Sequence, residues 1–163
     1  MKKQKNAFTL LETIIVLAIF VLAISGLVMP LSNFLTKNEI NNTSKAIMQK
    51  LETARSNAQM NLQTNDWGVA IDDDASNNGE NPQYIFFRGS TLEDYPDSQE
   101  EYPLPENLQF KNISFDRGND EVVFLQNSGN TLDFGSMELY NTNRPDIVYT
   151  FSINPLGVIE LTH

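Results

Sequence analysis

One carboxylate stands where a carboxylate is costly. Glu12 lies in a run from Ala7 to Leu31 that otherwise holds only apolar, small or hydroxylated side chains. A charge inside such a segment costs about 3 kcal/mol on membrane-insertion scales, so a working role is its first reading. The plainer alternative is a side chain near an interface that reaches toward water or headgroups. The other groups with chemical potential are oxygen donors. Asp72, Asp73 and Asp74 precede Asn77, Asn78, Gly79 and Glu80, and Glu93, Asp94, Asp97, Glu100 and Glu101 lie between Gly89 and Pro103. Asp72 and Asp74 with a nearby carbonyl are weak calcium candidates, but their spacing is not that of an EF-hand loop, and solvated surface loops account for both clusters. The chain has no cysteine, which excludes disulfides, thiolate nucleophiles and zinc–cysteine sites. Its one histidine is His163, at the last position, where a serine–histidine triad is not expected. Neither an enzyme nor a cofactor is expected.

The element that positions Glu12 reads as a membrane helix. Phe8 to Leu31 is 24 residues, about 36 Å at 1.5 Å per residue and enough for a hydrocarbon core of about 30 Å. Lys2, Lys3 and Lys5 precede it with no acid among them, which places the N-terminus in the cytoplasm and exports the rest. An ordinary secretory signal also begins with basic residues, and Ala18 to Ser25 could imitate its cleavage site. The position of Glu12 argues against that alternative. Gly26 and Pro30 are expected to interrupt the helix near its outer end, because proline removes a backbone donor. They act either as a tolerated kink or as a place that melts when the helix leaves lipid.

The stretch Lys5-Asn6-Ala7-Phe8-Thr9-Leu10-Leu11-Glu12-Thr13 resembles the type III signal of type IV pilins and type II secretion pseudopilins. That resemblance implies that a prepilin peptidase cuts between Ala7 and Phe8 and then N-methylates Phe8. Glu12 would become the fifth residue of the mature chain, where the family keeps a glutamate. The family overwhelmingly has glycine before the cut. Ala7 is the next smallest residue, and slower processing is the expected consequence. Cutting before Phe8 leaves a cationic amine. A carboxylate about one turn away on a neighbouring subunit can neutralise that amine in low dielectric, which selects the axial stagger between subunits.

After Pro30 the hydrophobic period becomes helical. Ile40, Ser44, Ile47, Leu51, Ala54, Ala58 and Leu62 recur at spacings of three and four, predicting a helix to about Gln63 that lays one narrow stripe on a sheet. A coiled coil is the competing explanation, but the stripe is short and mixed. Lys37, Lys45, Lys50 and Arg55 read as the basic, solvated side of that helix. Strands are expected at Trp67–Ile71, Gln83–Arg88, Leu108–Phe115, Glu121–Gln126, Thr131–Tyr140, Ile147–Ile153 and Gly157–Leu161. Turn signals at Asn77-Asn78-Gly79, Asp116–Asn119, Asn127–Asn130 and Asn154–Gly157 separate them. The expected fold is α+β, a long N-terminal helix on antiparallel sheets, pilin-like. Its parts are a basic leader (1–7), a membrane and filament-core helix (8–31), an amphipathic helix (32–63) and a β-rich head (64–163). Tyr95 and Tyr102, among acids and prolines, either contact a partner or cap a sheet.

The segment Leu51–Ala58, the Trp-bearing first strand, the Pro155-Leu156-Gly157 turn and the final strand Val158–Leu161 resemble the H-type minor pseudopilins and their FimT-like pilus relatives. Partners implied by the resemblance are other pilin subunits, the prepilin peptidase, an inner-membrane assembly platform and lipid. Of 11 basic residues three precede the apolar run, leaving 8 against 21 acidic ones, a balance of −13. A surface that acidic disfavours nucleic acid. A DNA-uptake pilin would need Arg88, Lys111, Arg117 and Arg144 to converge. The remaining alternative is a membrane-anchored β-domain that binds a ligand or acts as an adhesin and never polymerises.

Overall fold

The computed structural model describes residues 10–73 and 82–163, with the side chains of residues 25–30 outside that description. The chain divides into two units, Met1–Lys37 and Asn38–His163. Helix α1 (Leu10–Gln59) contributes to both.

In the first unit α1 is helical through Gly26 and Pro30, so the interruption expected there is absent from the backbone. Pro30 has no N–H for the carbonyl four residues back, and that residue is Gly26. One missing bond leaves the rest of a long ladder in place. Among the described residues no helix is long and apolar enough to cross a membrane.

The second unit builds its core on one stripe of α1. Ile40, Ser44, Ile47, Leu51, Ala54 and Ala58 are all fully buried. Ser44 fits an apolar stripe because its hydroxyl donates to the Ile40 carbonyl at 2.6 Å, one turn back. The strands are β1 (Trp67–Asp72), β2 (Gln83–Arg88), β3 (Glu100–Pro103), β4 (Leu108–Phe115), β5 (Glu121–Phe124), β6 (Gly135–Asn141), β7 (Arg144–Ile153) and β8 (Ile159–Thr162). They form two four-stranded antiparallel sheets, in the orders β3-β2-β1-β5 and β4-β6-β7-β8. Val69, Phe86 and Phe124 of the first sheet and Phe110, Leu139 and Phe151 of the second join the helix stripe in one cluster. The fold is α+β, as its sequence predicts.

Besides shifts of one to three residues at the ends of β1, β5, β7 and β8, three features differ from the sequence reading. The helix stops at Gln59, before Gln63, because Asn61 takes a left-handed conformation with φ 54°, and Leu62 is left 42% exposed. The Ala58 carbonyl, one of the helix's last acceptors, receives the N–H groups of Asn61 and Asn127 at 3.1 and 2.9 Å. Gly157, at φ 72°, closes the last turn where an added Cβ would collide with the Gly129 carbonyl.

The second difference is β3, a strand where an acidic loop was expected. Lys50 of α1 fastens it: Nζ donates to Glu100 at 3.0 Å and to the Tyr102 hydroxyl, and the hydroxyl also donates to Glu100. Tyr102 stacks on Tyr84 with ring centroids 5.1 Å apart, so it caps the sheet.

The third difference is the segment before β6. Thr131 makes only an isolated bridge to Phe124. Asp133 turns inward and is fully buried. Its carboxylate accepts a bidentate pair from Arg117 and, at 3.0 Å, the Val123 N–H, while its own N–H donates to Thr131 Oγ1 at 2.9 Å. One side chain thus ties the 116–120 turn, β5 and the approach to β6.

Two outcomes follow from these ties. Asp133→Asn leaves Arg117 without its anion and should lower unfolding free energy by about 3 kcal/mol, read by urea denaturation of the purified protein in detergent. At the Lys50 clamp, the Tyr102 and Lys50 hydrogen bonds hold the Glu100 carboxyl below its ordinary range. That contribution is present above the unfolded value near 4.5 and is lost as pH falls through the lower folded value. Lys50→Met should therefore lower stability at pH 7 by less than about 1 kcal/mol, the pair being mostly solvated. The difference from the unsubstituted protein should shrink as pH drops below the ordinary carboxylate range; a difference constant with pH would refute the ionic account.

Candidate functional site

Glu12 lies on α1, two residues after Leu10, the first described residue. Ala7 and Phe8 lie outside the described residues. From Leu10 the helix is apolar on all sides: Leu10, Ile14, Leu17, Val21 and Ile24 are exposed, and so are Leu11, Ile15, Phe20 and Leu22. A helix apolar all round is one that buries itself in protein or lipid. Glu12 is the single acid on that surface between Leu10 and Leu31, and no Lys or Arg accompanies it. Such a segment can bring a carboxylate into a low-dielectric contact with a cation carried by another chain, where the pair is far stronger than in water.

Asp72 ends β1 and is exposed; its carboxylate accepts a hydrogen bond from Gln83 Nε2 at 3.4 Å. Asp74 lies outside the described residues. Among the described residues no group of three or more His, Cys, Asp or Glu side chains is placed to hold a metal ion. In the second acidic segment Asp94 caps its own loop, accepting the N–H groups of Ser90 and Thr91 at 2.7 and 3.0 Å. Tyr95 lies under Arg88, whose guanidinium is 4.2 Å from the ring centroid. Two further carboxylates lie near them: Glu121, in the strand expected from Glu121 onward, and Asp120, between the expected Asp116–Asn119 turn and that strand. Burial raises Asp120 above its ordinary range, and Asp73 adds to the effect. Burial also raises Glu121, helped by Asp133 and Glu93 and opposed by the Leu92 backbone N–H and Arg117.

The four cations that a nucleic-acid groove would need are separately engaged. Lys111 pairs with Glu138 at 3.4 Å, Arg117 with Asp133 and Arg144 with Asp146, while Arg88 donates to Gln63. Arg88 belongs to the first sheet, and Lys111 and Arg144 to the second.

The sequence reading did not single out Asp133, although the same signal that marks Glu12 marks it: an acid between Leu132 and Phe134. The clamp at Lys50 had no such signal, since Glu100 and Tyr102 come from a strand far along the chain.

Neither a curated protein nor a solved structure matches the chain. Residues 2–28 match the family model of the prokaryotic N-terminal methylation motif, the segment that contains Ala7, Phe8 and Glu12. The chain therefore carries the signature of the type IV pilins and pseudopilins at its N-terminus.

Proposed function

We propose that the chain is a prepilin-type minor pilin or pseudopilin, a structural subunit of a type II secretion pseudopilus or a type IV pilus. The observation that carries this reading is the methylation motif over residues 2–28, running into a helix whose Leu10–Ile24 surface is apolar on all sides except at Glu12. A prepilin peptidase cuts between Ala7 and Phe8 and methylates the new amine. Before assembly the subunit waits in the inner membrane, N-terminus in the cytoplasm and head exported, among lipids and beside the assembly platform. On assembly the helix exchanges lipid for neighbouring subunits, and Glu12 meets the N-terminal amine of one of them. An unpaired carboxylate in that setting costs several kcal/mol, about 3–5, so register errors are rejected. Gly26 and Pro30 give the helix its weakest backbone point, the place to melt as it is extracted. The likeness to the H-type minor pseudopilins rests on Leu51, Ala54 and Ala58, buried on the helix, and on Trp67 opening β1.

The first test is the mass and N-terminal residue of the mature protein from cells with an intact prepilin peptidase. The expected chain begins at N-methylated Phe8. A start near Gly26 would mean ordinary signal cleavage and end the filament reading, and an intact Met1 would leave an anchored β-domain that does not polymerise. With processing established, Glu12→Leu should insert and be cut normally but fall at least about tenfold in filament incorporation, the scale of a lost low-dielectric pair. Normal incorporation would remove Glu12 from the mechanism.

A further inference from the structure

Five described residues other than glycine have positive φ, and three of them are asparagines, which tolerate it. The other two, Gln63 and Thr64, stand side by side in the connection from α1 to β1, at φ 59° and 56°. With Asn61 at φ 54°, three of four successive residues are left-handed. For Thr64 that region is a genuine outlier, because a β-branched side chain crowds the backbone there. Such strain persists only where surrounding contacts over-determine it. Here three side chains supply those contacts. The Trp67 indole N–H donates to the Leu62 carbonyl at 3.1 Å, Arg88 donates to the Gln63 amide oxygen, and Gln126 donates to the Asn61 amide oxygen. Asp66 closes the segment, accepting the Gln126 N–H at 2.7 Å and the Ser90 hydroxyl at 2.8 Å.

Local preference over the same residues is helical. Leu62 follows Ala58 by four and continues the spacing of Ile47, Leu51, Ala54 and Ala58, all fully buried. Met60, Leu62 and Gln63 are strong helix formers. Yet Leu62 is 42% exposed and Met60 62%. The three ties that override this preference are exposed hydrogen bonds, each of modest net strength. A conflict between local and tertiary preference is expected at strained or functional sites.

We propose that residues 60–65 form a two-state strap between α1 and the first sheet. In the latched state, the one the structure shows, the three ties hold Gln63 and Thr64 left-handed and leave Met60 and Leu62 in solvent. In the extended state α1 continues through Gln63, Thr64 returns to negative φ, and Leu62 carries the buried stripe one turn past Ala58. The ties are lost in exchange. Trp67 opens β1 and Arg88 ends β2, so the strap couples the end of the helix to both strands. Whatever grips or frees those two side chains shifts the strap, and with it the exposure of Leu62. The device uses only the second unit, so it stands or falls apart from the filament reading.

Trp67 is the one tryptophan of the chain, and its emission therefore reports the tie to Leu62. The full-length protein in nonionic detergent is compared with the double variant Arg88→Met and Gln126→Leu, which cuts two ties and leaves the strap sequence unchanged. Losing two hydrogen bonds should raise the ratio of extended to latched state at least about tenfold. In NMR spectra the Cα shifts of Leu62, Gln63 and Thr64 should move toward helical values, and Trp67 emission should move to longer wavelength. Adding Thr64→Gly, which removes the strain opposing the latched state, should reverse both changes. Shifts that stay left-handed in the double variant would make the junction a rigid turn and overturn the proposal. Random-coil shifts would also overturn it, since they would mean a loop with no helical alternative. Thr64→Gly alone gives an independent reading should the double variant not fold. It should raise the folded-to-unfolded ratio about fivefold in urea denaturation, and a fall would mean that Thr64 carries no strain and would end the proposal.

Discussion

The second unit depends on the burial of one narrow helical stripe. Ile40, Ile47, Leu51, Ala54 and Ala58 belong to the same cluster as the inner faces of both sheets. Each large aliphatic side chain in it contributes about 1.5–3 kcal/mol on leaving water. The two alanines contribute less area, and their small size lets strands come close to the helix. Polar ties then fix where each sheet lies along it. Lys50 holds the edge strand β3, Glu39 accepts a hydrogen bond from Asn107 at 2.7 Å ahead of β4, and Arg55 donates to the Leu156 carbonyl in the turn before β8. The apolar stripe supplies the free energy and the polar flanks supply the register.

That division explains what was legible in the sequence. A stripe recurring at three and four is a local pattern, so the helix and its buried face could be read directly, and so could β2 and β4, whose ends agree with the structure. The helix end was misplaced because Leu62 continues the period, while the event that stops the helix is a left-handed Asn61, which periodicity does not register. β3 was missed because Glu100-Glu101-Tyr102-Pro103 is acidic and ends in proline. Those are the features of a protected sheet edge as much as of a loop. The start of β6 was read too early: Thr131 to Phe134 alternates like a strand, but its inward residue is Asp133, and a buried carboxylate with Arg117 makes a clasp instead.

The two carboxylate features differ in the same way. Glu12 stands out from its immediate neighbours, and no tertiary information is needed to see that an acid among aliphatic residues is costly. The placement of Glu121 beside Ala70 could not be found from the sequence, because the two become neighbours only through the β1–β5 register. The turn that carries Asp120 is brought there by a hydrogen bond from the Ile71 N–H to the Asp120 carbonyl at 2.7 Å. Sites made by one segment announce themselves; sites made by pairing distant strands do not.

The division of the chain at Lys37 has a thermodynamic meaning. Among the described residues the hydrophobic cluster of the second unit begins at Ile40 and takes nothing from Leu10–Lys37. Its stability therefore draws on its own buried area, and a change in what surrounds Leu10–Ile24 alters no contact in that cluster. The converse also holds. The leucines, isoleucines and valines of Leu10–Ile24 are exposed, so their free energy is set by the solvent or protein that surrounds them. A helix continuous through both regions can then change environment at one end while its other end stays packed. The Gly26–Pro30 pair costs that helix one backbone hydrogen bond, since Pro30 has no N–H to donate.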